Sequence, residues 1–105
     1  MLKMIMVILF CLCLTACASL RGPQSLQQGK IDFAAGNYKP AFLELLPLAS
    51  EGNAEAQYAV GYMYYYGYGV AQDNDSGIFW MQKAAQQHHV AAIKALSMLG
   101  EKSKK

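Results

Sequence analysis

Residues 49–92 read ASEGNAEAQYAVGYMYYYGYGVAQDNDSGIFWMQKAAQQHHVAA, and this stretch decides the fold. Its opening, Ala49 to Ala56 (ASEGNAEA), returns as Ala85 to Ala92 (AQQHHVAA), an offset of 85 − 49 = 36. The same offset pairs Val60 with Leu96 and Leu45 with Met81 (96 − 60 = 81 − 45 = 36). Apolar residues recur at spacings of three and four, not two, so the repeating unit is helical. A period in the thirties carried by helix pairs implies an α-solenoid, in which each hairpin buries its apolar face only against its neighbours.

Turn residues divide the rest of the chain accordingly. A first helix is expected over about residues 25–35, stopping at Gly36-Asn37. A second starts near Lys39 with Pro40 in its first turn, carries Phe42, Leu45, Leu46 and Ala49 inward and ends at Gly52. Pro47 should bend or loosen its last turn. Asn53 caps a third helix, which runs to about Tyr66 before Gly67-Tyr68-Gly69 breaks it. A fourth starts at Asp73 or Asn74 and turns Ile78, Trp80, Met81, Ala84 and Ala85 inward, and a fifth covers 90–99 and stops at Gly100. The fold class expected is therefore all-α, a short α-solenoid of about five antiparallel helices over residues 25–100, followed by a basic tail, 101–105.

Upstream of the solenoid the chemistry changes. After Lys3 come eleven residues, 4–14 (MIMVILFCLCL), with no charged or strongly polar side chain. A membrane span needs roughly 20 apolar residues, so this run is a targeting segment and not a stable span. It ends Leu14-Thr15-Ala16-Cys17, which resembles the lipobox of bacterial lipoproteins: an aliphatic residue and two small ones before a cysteine. The resemblance implies cleavage after Ala16, removing residues 1–16 as a signal peptide, a diacylglycerol thioether on Cys17 and a further acyl chain on its freed amine. Two or more chains hold a bilayer firmly where one holds it marginally. Ala18 follows where an Asp would resemble an inner-membrane retention signal, which implies the outer membrane, facing the periplasm. Residues 17–24, containing Ser19, Gly22 and Pro23, read as lipidated cysteine plus tether.

Removing 1–16 takes Lys3 with it, so Lys plus Arg becomes 9 − 1 = 8 against 7 acids. A nearly neutral chain with no basic stripe gives no nucleic-acid partner. Cys11 and Cys13 leave with the signal and Cys17 is acylated, so no disulfide is expected.

Residues 49–92 resemble a Sel1-like repeat, a relative of the tetratricopeptide repeat. Ala56-Gln57, Gly61, Tyr64, Gly67-x-Gly69-Val70, Asp73, Trp80 and Lys83-Ala84-Ala85 fall on that pattern. Residues 29–48 resemble the divergent half-repeat that often precedes one, through Gly36-Asn37-Tyr38, Ala41 and Pro47-Leu48. The small residues should let helices approach closely, and Tyr64 and Trp80 should fill the layer between hairpins. Two positions depart from the pattern. Gly77 replaces the usual Ala and should weaken the fourth helix by about 1 kcal/mol. His88 replaces a helix-ending Gly and should be forced into a left-handed conformation.

Few residues carry chemistry. His88-His89 has no Cys, Asp or Glu at ligand spacing and reads as a helix-end surface pair, so neither a metal nor a cofactor is expected. Asp73 and Asp75 read as caps, no nucleophile is paired with a base, and the chain is not expected to be an enzyme. The functional signal is tyrosine. Tyr58, Tyr62, Tyr65 and Tyr66 form a stripe on the third helix facing away from Ala56, Val60, Met63 and Gly67. Tyr62, Tyr65, Tyr66 and Tyr68 are the candidate protein-binding residues, on a groove made by helices one, three and five. The expected function is a membrane-anchored adaptor of the cell envelope that binds a protein or peptide. The alternative is an envelope enzyme or binder of wall fragments or β-lactams, as implied by certain cysteine-rich Sel1-like proteins, whose cysteines this mature chain lacks.

Overall fold

The computed structural model describes residues 3–5 and 22–103, with side chains from 26 to 100 in the folded part. The proposed cleavage site, Cys17 and most of the tether lie outside the described residues. Five helices follow in order: α1 (Gly22–Ala34), α2 (Tyr38–Ser50), α3 (Ala54–Tyr66), α4 (Asn74–Gln86) and α5 (Val90–Ser103). Each packs on the next, and the α3–α4 seam is the most extensive. This is the helical-repeat solenoid that the 36-residue offset requires. Among the described residues, no helix is long and apolar enough to cross a membrane.

Four helix ends share one hydrogen-bond pattern. At α1, Gly36 N–H donates to Phe33 O (3.1 Å) and Asn37 N–H to Asp32 O (2.8 Å). At α2, Gly52 N–H donates to Ala49 O (3.1 Å) and Asn53 N–H to Leu48 O (3.0 Å). At α3, Tyr68 N–H donates to Met63 O across Gly67, and at α4 His89 N–H donates to Ala84 O across His88. This motif needs a left-handed residue at its apex, and Gly36, Gly52 and Gly67 supply it with φ of 84°, 106° and 72°. His88 takes the fourth apex with φ 64°, as its position predicts.

The helix starts are fixed by side chains. Asn53 Oδ1 accepts from Ala56 N–H (2.9 Å), and Asp73 Oδ1 accepts from Ser76 N–H (3.1 Å) while its Oδ2 accepts from the Ser76 hydroxyl (2.8 Å). These bonds favour the ionised form and hold the Asp73 carboxyl below the usual aspartate range. At the other boundaries the chain departs from expectation. α1 begins three residues earlier, at Gly22, because Pro23 is tolerated in a first turn. α5 runs through Gly100 to Ser103, and Gly100 is not among the left-handed residues.

The core is built from small residues at the crossings and a few large ones between them. Ala41, Ala49, Ala56, Ala84 and Ala92 are buried, and Leu45, Val60, Met63 and Met81 are the largest fully buried side chains. Trp80 and Tyr64 pack against this core but are only half-buried. Tyr64 meets the buried Phe42 edge-on (5.2 Å) and Trp80 lies beside Phe79 (5.5 Å) with Lys83 Nζ 5.8 Å from its ring, so the two aromatics flank the sealed core while sulfur and aliphatic side chains fill its centre. Gln57 is buried but satisfied. Its Nε2 donates to Ala49 O (3.1 Å), and its Oε1 accepts from Gln87 Nε2 (2.9 Å), tying the end of α4 to α3.

Candidate functional site

α3 has two opposed faces. Ala56, Gln57, Val60, Gly61 and Met63 are buried toward α2 and α4, while Tyr58 and Tyr62 are half-buried and Tyr66 is 46% exposed. The helical spacing of four that links Tyr58, Tyr62 and Tyr66 aligns their rings, with centroids 6.3 Å and 4.6 Å apart in turn.

Beyond α3 a loop adds a fourth tyrosine. A Cβ on Gly69 would lie 2.5 Å from the carbonyl carbon and oxygen of Tyr38, so only glycine lets the loop rest on the start of α2. That approach stacks Tyr68 on Tyr38, with centroids 4.6 Å apart and planes 13° from parallel. Phe33 closes the cluster edge-on, 5.4 Å from Tyr38 and 5.9 Å from Tyr62. Burial, then the neighbouring phenols, pushes the Tyr62 hydroxyl above its ordinary pKa, so it stays protonated and able to donate. At the opposite end of the stripe Tyr58 stacks on His89 at 5.1 Å, and His89 Nδ1 accepts from Ala92 N–H (3.3 Å) at the start of α5. His89 is thus half-buried under α3 and is not a surface partner of His88.

The tyrosine ridge separates two apolar hollows. One, of about 410 Å³, lies toward α1 and is lined by Leu26, Phe33, Leu45, Tyr58, Ala59 and Tyr62, with Lys30 and Glu55 at its rim. Those two side chains pair at 2.7 Å, each about half exposed, so their attraction is screened and the rim is nearly neutral. The other, of about 140 Å³, lies toward α5, between Tyr58, Tyr62, Tyr66, Met81, Met98 and Leu99. A wider depression of about 790 Å³ beside Tyr64, Val70, Gln72, Asp73 and Asp75 is of mixed polarity and open, and the Asp73 carboxylate there is engaged by α4. It offers less to recognition than the ridge.

The four tyrosines singled out from sequence are therefore not equivalent. Tyr62 lines both hollows, Tyr66 lines the α5 side and Tyr68 completes the cluster. Tyr65 touches Tyr66 (5.0 Å) but lines neither hollow, and its backbone N and Cβ abut Gly77 on α4. Sequence reasoning missed Phe33 and Tyr38. The signal was an aromatic on each side of the Gly36-Asn37 turn, meaningful only once that turn meets the Gly67–Gly69 loop. Among the described residues, no three His, Cys, Asp or Glu side chains are placed to hold a metal ion.

Residues 54–89, the span from the first residue of α3 through the turn after α4, match the model of the Sel1 repeat. This stretch is similar to the Sel1 repeat. The matched hairpin coincides with the most extensive seam of the fold, and its glycines are those that the geometry demands. Gly61 meets α4 where a Cβ would lie 2.8 Å from Gly77 O, and Gly67 and Gly69 are left-handed. Sel1 repeats serve generally as protein–protein interaction modules and are typically non-catalytic. The ridge and hollows lie on the α1–α3–α5 face of this module.

Proposed function

We propose that this chain is a lipid-anchored adaptor of the bacterial cell envelope, whose α1–α3–α5 face holds a segment of a partner protein. The observation that carries the binding half is the Tyr58–Tyr62–Tyr66 ridge with an apolar hollow on either side. An extended or helical segment could seat one apolar side chain in each hollow and lay its backbone over the rings. Tyrosine suits this work because it offers large contact area and a hydroxyl at low entropic cost. The near-neutral rim favours an apolar anchor over a strongly charged one. The anchoring half is supported by Leu14-Thr15-Ala16-Cys17 and the apolar run before it.

Two substitutions test the halves separately. Tyr62→Ala with Tyr66→Ala should weaken capture of the crosslinked envelope partner at least tenfold, about 1.4 kcal/mol, while far-ultraviolet circular dichroism keeps its helical signal. Unchanged capture by a folded double variant would remove these residues from the site. Cys17→Ser should leave an unprocessed precursor without lipid. Cleavage of that variant at the same bond, with membrane fractionation surviving an alkaline wash, would refute the anchor.

A further inference from the structure

Successive helices of the solenoid run in opposite directions, which sorts its turns onto two edges. The start of α1, the α2–α3 turn, the end of α4 and the start of α5 share one edge. Gln87 Nε2 confirms that continuity by donating to Gly52 O at 2.9 Å, joining the α4 end to the α2–α3 turn. The opposite edge gathers the aromatic cluster: Phe33 near the end of α1, Tyr38 at the start of α2, Tyr66 at the end of α3 and Tyr68 just beyond.

Chain length then decides which edge can meet a membrane. Cys17 precedes Gly22, where α1 begins, by 22 − 17 = 5 residues. Five residues span at most about 18 Å however they are arranged. The 13 residues of α1 rise about 20 Å along the helix axis. Placing the aromatic edge on the lipid with the helices upright would lift the start of α1 about 20 Å, which demands a link stretched to or beyond its limit, whereas the opposite edge lets the link stay slack. We infer that the edge formed by the α2–α3 and α4–α5 turns rests on the lipid headgroups, holding the aromatic cluster about 20 Å out in the aqueous space. The inference rests on the Cys17 reading above and deepens it: the partner of the tyrosines arrives from the aqueous side, and lipid is not their ligand. Charge does not separate the two edges: Asp73, Asp75 and Lys39 lie toward the aromatic edge, while on the near edge Glu51 is exposed and Glu55 is paired with Lys30. The near edge also carries the most exposed large apolar side chain among the described residues, Val90, at 78%.

The test uses the full chain, matured in a bacterial envelope and reconstituted in phosphatidylethanolamine–phosphatidylglycerol vesicles. One fluorophore is placed by Val90→Cys on the near edge and, in a second variant, by Ala71→Cys on the far loop, both at exposed positions. Vesicles carrying a nitroxide on the lipid headgroup should quench the label at position 90 at least threefold more than that at 71, and both variants should float with the vesicles. Flotation with equal or reversed quenching overturns the orientation and leaves the anchor standing. Loss of flotation in both overturns the anchor and the orientation with it.

Discussion

His88 does at the end of α4 what glycine does at the ends of α1, α2 and α3, and it does so with a side chain that disfavours the conformation. A left-handed L-residue costs roughly 1–2 kcal/mol, part of which glycine returns through its greater freedom in the unfolded chain. His88→Gly should therefore stabilise the domain by about 0.5–1 kcal/mol, a rise of roughly 2–8 °C in Tm for a domain of this size. The exposed imidazole makes no hydrogen bond among those described that would offset the gain. A Tm that falls on this substitution would mean that the histidine is held by a contact worth more than its strain. This residue was legible in advance, because a turn that needs positive φ can be placed from the glycines at equivalent helix ends. His89, one residue on, was not. Its stacking on Tyr58 depends on where α5 docks, which neighbouring residue types do not specify.

At the scale of elements, Gly77 reverses its expected meaning. Helix propensity alone makes it a defect worth about 1 kcal/mol against alanine. In the packed structure a Cβ at Gly77 would sit 2.9 Å from Gly61 O and from the backbone N and Cβ of Tyr65, none of them a flexible side-chain end. Forcing extra volume into such a seam costs typically 1–3 kcal/mol, which outweighs the propensity gain. Gly77→Ala should therefore lower Tm, while Gly100→Ala, where nothing lies within 4 Å, should raise it. Equal stabilisation by both would show that α3 and α4 do not approach at the Gly61–Gly77 crossing. The helices themselves were readable from caps and breakers: Asn53, Asp73, Gly36, Gly52 and Gly67 all act where the sequence places them. Gly100 misled, since a glycine that keeps an ordinary helical backbone leaves no mark in sequence distinguishing it from a terminator. The balance between Trp80 and Met81 was equally hidden. Both lie on the inward arc of α4, and only the depth of the neighbouring helices decides which is sealed.

For the whole molecule, the repeat offset carried the architecture and the tyrosine spacing carried one side of the groove. The rest of the groove comes from chain segments far apart in sequence. Phe33 and Tyr38 join Tyr68 because the α1–α2 turn and the Gly67–Gly69 loop share an edge, and the α5-side hollow exists because Met98 and Leu99 face Tyr62 and Tyr66. Periodicity within a helix reports which residues share a face, but not what stands opposite. The central claim is that this face, and not the outer one, holds a protein partner. The most direct measurement replaces Tyr66 on the groove, and separately the similarly exposed Phe79 on α4, with a photoreactive phenylalanine analogue, followed by irradiation in the living envelope. A discrete protein adduct is expected from position 66 and none of comparable yield from position 79. Adducts of equal yield at both positions, or at 79 alone, would contradict it.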